Sequence, residues 1–93
     1  MGWSVGFTST EQDAPNVHLF TSEYYSVGMV WLEAHITSIL DNMGEMDNLR
    51  EEYQTLLADI RDISRDSGIM DDPDMWDDED FYGDSVTFWI VQD

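Results

Sequence analysis

Residues 85–91 read Ser85-Val86-Thr87-Phe88-Trp89-Ile90-Val91. Val, Ile, Thr, Phe and Trp suit a pleated, packed surface, so the run predicts a strand. Because it is almost continuously apolar, it belongs at the centre of a sheet, covered by helices. Such a strand needs a neighbour, and residues 3–8 supply one. In Trp3-Ser4-Val5-Gly6-Phe7-Thr8 large apolar side chains alternate with small or polar ones, the period of a half-buried strand. Residues 9–16 form a polar, turn-forming stretch that closes on Pro15-Asn16. Val17-His18-Leu19-Phe20 is then either a second short strand or the approach to a helix.

Two helical patterns lie between these strands. Thr21 or Ser22 is the expected N-cap of the first, which runs to about Met43. Tyr25, Met29, Leu32, Ile36, Ile39 or Leu40, and Met43 recur three or four residues apart as one stripe. Val30 and Trp31 widen the apolar arc, which makes this helix the expected most buried element. It is expected to end at Asp41-Asn42-Met43-Gly44, with Gly44 as a left-handed cap. The second helix, about Asp47 to Asp66, carries Leu49, Tyr53, Leu56, Leu57, Ile60 and Ile63 on one face and stops at Gly68. The short link makes the pair an antiparallel hairpin. In residues 71–80 seven of ten side chains are acidic, and with Pro73 they predict a loop. The expected fold is α+β, residues 1–93 forming one domain. An antiparallel two-helix hairpin packs on a small antiparallel β-sheet formed by N- and C-terminal strands. Leu32, Ile36, Leu56, Ile60, Phe88 and Ile90 are the expected core.

The charge balance narrows the function. The chain has 21 Asp and Glu against three Arg (Arg50, Arg61, Arg65) and no Lys, a formal net charge of −18. It should still fold, since 22 of 93 residues are Leu, Ile, Val or Phe, above the roughly 20% typical of disordered chains. Direct nucleic-acid binding requires cations that displace phosphate counterions, and three Arg do not suffice. Adsorption to an anionic membrane fails for the same reason. No apolar run is long enough to span a bilayer, and the opening residues lack a leader's basic and apolar regions. Met1-Gly2-Trp3-Ser4-Val5-Gly6 has Gly where a myristoylation signal requires Ser or Thr. The chain has no Cys, which excludes disulfides, thiol catalysis and thiolate metal sites. A cytoplasmic location is expected, the host cytoplasm if the protein is viral.

No catalytic constellation emerges. Gly2-Trp3-Ser4-Val5-Gly6 matches the nucleophile-elbow spacing, but that device needs a strand before the Ser and a helix after it. His18 and His35 are 17 residues apart, not the i, i+4 of a helical metal pair. Paired carboxylates arise by chance among so many acids, and acid–base catalysis needs a sheltered pair with separated pKa values. Asp72-Pro73-Asp74 and Asp78-Glu79-Asp80 lack the spacing, central Gly and terminal Glu of an EF-hand loop. Neither an enzyme, nor a metal, nor a cofactor is expected.

What remains is the charge itself. A 93-residue domain has an expected diameter of roughly 32 Å, hence one net charge per ~1.8 Å, against one per ~1.7 Å of duplex DNA. On the second helix Asp47, Glu51, Glu52, Asp59, Asp62 and Asp66 span about 28 Å of axis. So much like charge destabilises the compact state, so high salt or a basic partner should compensate. Met75, Trp76, Phe81 and Tyr82 lie in or beside the acidic run, either pinning it to the core or serving as aromatic anchors at an interface.

In charge density and size, though not by any motif, the chain resembles the small acidic nucleic-acid mimics that phages make against host defences, anti-restriction and anti-CRISPR proteins among them. That resemblance implies an inhibitor that blocks the DNA- or RNA-binding surface of a basic protein or ribonucleoprotein complex. The expected contact residues are Glu51, Glu52, Asp59, Asp62, Asp66, Asp71, Asp72, Asp74, Asp77, Asp78, Glu79 and Asp80, with Trp76 as aromatic anchor. Two alternatives share the composition. One is an immunity protein or antitoxin that neutralises a basic nuclease, the other an acidic adaptor from a salt-adapted organism.

Overall fold

The β-branched and aromatic run forms β4 (Val86–Gln92), and the N-terminal alternating segment forms β1 (Trp3–Ser9) beside it. The two pair antiparallel over their full length, from Trp3 opposite Gln92 to Ser9 opposite Val86. Among the residues described by the computed structural model (2–9, 16–69 and 76–93), four further elements complete the fold. These are β2 (Val17–Ser22), α1 (Tyr25–Asp41), α2 (Arg50–Ile69) and β3 (Glu79–Tyr82). The sheet is antiparallel with order β2-β1-β4-β3, so the two terminal strands lie at its centre.

Side chains alternate across β1 and β4. Trp3, Val5, Val86, Phe88 and Ile90 are buried, while Thr87, Trp89 and Val91 are only half-buried on the opposite face. The buried set meets Tyr25, Met29, Leu32, Ile36 and Leu40 of α1 and Leu56, Leu57 and Ile60 of α2. All six expected core residues are in it. The helices form the expected antiparallel hairpin: Arg50, at the start of α2, reaches the end of α1, and Arg61 pairs with Glu33 at 3.1 Å. Gly28 allows α1 to lie close to the central strands. A Cβ there would stand 3.0 Å from Ile90 Cδ1 and 3.3 Å from Val5 Cγ2.

Several local expectations are corrected. Residues 17–20 are strand, and the strand takes in Thr21 and Ser22, so neither caps α1. Tyr24 is the N-cap residue, and the Ser22 hydroxyl accepts its N–H at 3.2 Å. Gly44 is not a left-handed cap, since no described glycine has positive φ. The chain leaves α1 at Asn42 in a right-handed conformation (φ −92°, ψ −4°). Exposed helix-end carbonyls need donors, and here side chains supply them. Asn42 Nδ2 donates to Ser38 O, and Arg50 Nη1 donates to Leu40 O and Met43 O.

Val30 is 56% exposed, so α1 is apolar on a wider arc than its own fold covers. Trp31 is half-buried, stacked on Phe20 of β2 at 5.0 Å. Gly68 does not stop α2, which continues to Ile69; glycine weakens a helix by about 1 kcal/mol without forbidding it. The predicted acidic loop is corrected at its C-terminal end, where Glu79 and Asp80 belong to β3. Phe81, buried opposite Phe88, holds that strand onto β4 despite the repulsion. Residues 71–75 lie outside the described residues, and Asp71, Asp72 and Asp74 with them.

Candidate partner-binding surface

The fold sorts the carboxylates into groups with different duties. Glu51, Asp59, Asp62 and Asp66 are exposed on α2, as the helical spacing requires. The same helix carries all three of the chain's Arg against five acids, which leaves it at −2. Sixteen of the eighteen net negative charges therefore lie elsewhere. Arg65 pairs with Asp62 at 3.5 Å, and both side chains are well exposed. The acidic row on α2 is thus partly neutralised from within, which its acids read alone did not reveal.

Glu52 faces inward. Its carboxylate accepts the Ser85 N–H at 2.7 Å, the Ser85 hydroxyl at 2.8 Å and the Val86 N–H at 3.3 Å. It closes the turn between β3 and β4 from the first turn of α2, and a carboxylate so engaged has little left for a partner.

Among the described residues the densest run of exposed acids lies at β3, on the free edge of the sheet. Asp77, Asp78, Glu79, Asp80 and Asp84 are all exposed, and none makes an ion pair among the described residues. The four residues of β3 cover about 13 Å. Asp78 is fixed by accepting the Gln92 N–H at 2.7 Å. Asp80 accepts the Tyr82 hydroxyl at 3.2 Å, and this bond, with the Asp80 charge, holds the phenol above its usual pKa. Two of the five carboxylates are thereby held in place, Asp78 by the β4 backbone and Asp80 by Tyr82.

Trp76 is the expected aromatic anchor, but it stacks on buried Tyr25 with ring centroids 5.0 Å apart and planes 4° apart. Trp3 closes on Tyr25 edge-on at 4.8 Å. Burial, then the charges of Glu79 and Asp78, push the Tyr25 phenol far above its usual range, so it remains neutral. Trp76 pins the start of the acidic edge to the core.

Different aromatics are presented on the sheet face away from the helices. Trp89 and Val91 of β4, Tyr82 and Asp80 of β3, and Thr8 of β1 line a groove of about 540 Å³. The register sets Asp80 opposite Trp89 and Tyr82 opposite Thr87. The Trp89 indole lies across Gly6, where any Cβ would collide with it and with Val17 O. The apolar run 85–91 places Trp89 in a strand without giving it a face. Its alternation with Phe88 and Ile90 is the signal that places it on the other face.

The remaining sequence motifs acquire structural duties. Ser4, of the nucleophile-elbow match, sits within β1 and donates to Asp93 Oδ1 at 2.6 Å. His18 Nε2 lies 2.7 Å from Thr21 Oγ1. His35 stacks on Trp31 at 5.0 Å and stands edge-on to Phe88, and burial lowers its pKa. Among the described residues no three His, Asp or Glu side chains converge as metal ligands do. No helix of the described residues is long and apolar enough to cross a membrane. Comparison with protein-family models, with curated proteins and with solved structures finds no match for this chain.

Proposed function

We propose that this protein is a nucleic-acid-mimic inhibitor, which occupies the basic nucleic-acid-binding surface of a partner protein or ribonucleoprotein complex. The observation that carries this reading is the acidic surface at β3: five exposed carboxylates within residues 77–84, Glu79 and Asp80 on the strand and Asp77, Asp78 and Asp84 beside it, with no ion pair among the described residues. A basic groove senses such a field at range and is steered onto it. Asp78 and Asp80, already held by hydrogen bonds before binding, lose less freedom than unrestrained side chains do. The anti-defence inhibitors of phages are this same reading with the partner specified as a restriction or CRISPR complex.

The experiment is capture from host lysate on the immobilised protein, with and without excess duplex DNA, read by mass spectrometry. Proteins held by mimicry leave the matrix when DNA is added. They are lost with a variant carrying Asp77→Asn, Asp78→Asn, Glu79→Gln and Asp80→Asn together. They largely remain with Glu51→Gln, Asp59→Asn, Asp62→Asn and Asp66→Asn together, because the Arg residues of α2 already offset that row. A retained set indifferent to both DNA and the edge variant would exclude mimicry.

A further inference from the structure

The helices cover one face of the sheet, and on the other the groove at Trp89 combines three features. First, Trp89 and Tyr82 present aromatic surface, Tyr82 being 77% exposed. The Trp89 Nε1 is shut off from solvent and has no acceptor among the described residues. What the indole offers the groove is therefore its π surface, not its donor. Second, Asp80 stands beside Trp89 in the register, with one oxygen held by the Tyr82 hydroxyl and the other without a partner among the described residues. Third, the chain brings no cation of its own to this face. Arg50, Arg61 and Arg65 are all on α2, bonded to Leu40 and Met43 carbonyls, Glu33 and Asp62 respectively.

Aromatic faces beside an oriented carboxylate attract a cation by two additive effects, the ring quadrupole and the charge. A planar guanidinium satisfies both at once, stacking on the rings while its N–H groups meet the carboxylate; an ammonium is more strongly hydrated and cannot stack. A second copy of this chain would bring a further net −18 against the same edge, so charge complementarity selects a basic partner. We infer that the groove at Trp89, Tyr82 and Asp80 is a recognition site for an arginine side chain of that partner. The inference rests on the proposed reading of a basic partner and assigns it one specific contact, where the acidic edge supplies only a field.

The test uses capped tetra-arginine and tetra-lysine peptides as probes, titrated into the ¹⁵N-labelled protein at about 0.15 M salt. The chain has four Trp, and the indole signal of Trp89 is identified by its loss in Trp89→Phe. Tetra-arginine should shift that signal and the amides of residues 80, 82, 87 and 89, and bind at least about threefold more tightly than tetra-lysine. Asp80→Asn and Tyr82→Ala change exposed side chains and leave the core intact. Each should remove the preference for arginine. If the Trp89 signal stays still, or both peptides bind alike to every variant, the site is refuted. The two readings fail separately. A partner displaced by DNA but untouched by Asp80→Asn or Tyr82→Ala keeps the mimicry and removes this site. Arginine-selective shifts at Trp89 with a DNA-indifferent partner do the reverse.

Discussion

Glu52 shows how one side chain changes meaning once its neighbours are known. In sequence it is one acid of a helical row; in the fold it accepts three hydrogen bonds from Ser85 and Val86. Bonds to a charged acceptor contribute about 1.5–3 kcal/mol. Glu52→Ala should therefore lower the unfolding free energy by about that amount in urea titrations, and Glu52→Gln by less. The exposed neighbour Glu51→Ala should stay within roughly 0.5 kcal/mol of wild type. Equal effects at both positions would mean that the turn is held by β3 and β4 alone. His35 carries a second residue-scale expectation. Burial against Trp31 lowers its pKa in the folded chain, so below the unfolded value of about 6.5 the unfolded state binds the proton first. That stability is present above this pH and is lost as pH falls toward the folded pKa. The melting-temperature advantage of wild type over His35→Gln should therefore shrink between about pH 7.5 and pH 5.5. A constant difference would show that the ring titrates alike in both states.

Among the elements, those with an uninterrupted period could be read from sequence. β4, β1 and the buried stripes of both helices follow directly from alternation or from three- and four-residue spacing. β3 could not, because Glu79 and Asp80 disguise a strand whose one decisive residue is Phe81. The sheet completes it: an open edge on β4 and the Phe88 side chain give Phe81 a place to bury. The acids that conceal the strand also protect it, since charged side chains on an edge discourage pairing with another chain. Neutralising them (Asp77→Asn, Asp78→Asn, Glu79→Gln and Asp80→Asn) should leave the fold intact and let β3 pair edge to edge. Sedimentation velocity should then show self-association at concentrations where the wild type is a single species. If the variant sediments as wild type does, the short length of β3 is protection enough. The candidate surface divides along the same line. Every acid was visible in sequence, but its sorting was not, since that depends on where α2 gathers the Arg residues and on which face β4 turns Trp89 to.

At the scale of the whole molecule the charge must be weighed against its distribution. The principal extents are 40 × 27 × 18 Å, longer than the sphere expected from chain length. Eighteen net charges along 40 Å amount to one per about 2.2 Å, somewhat sparser than the ~1.7 Å of duplex DNA. Among the described residues the negative charge is therefore least offset at β3, which has no ion pair, and most offset on α2, which carries the three Arg. Local crowding of this kind responds to salt. Neighbouring carboxylates on the edge lie well within the Debye length of ~10 Å at 0.1 M, and that length falls to ~3 Å at 1 M. Screening should thus relieve repulsion in the folded state more than in the expanded unfolded chain. The melting temperature should rise between about 0.05 and 1 M sodium chloride by roughly 5 °C or more, equivalent to about 1 kcal/mol in a domain of this size. The variant neutralised along the β3 edge should show much less of this rise. A second arm separates mimicry from salt adaptation: tetra-arginine at low salt should stabilise the wild type as a basic partner would, by mass action. A chain adapted only to high salt would instead unfold at about 0.05 M and gain nothing specific from the peptide. A melting temperature flat across the salt range would show that the carboxylates are spread too evenly for the edge to act as a charged ligand.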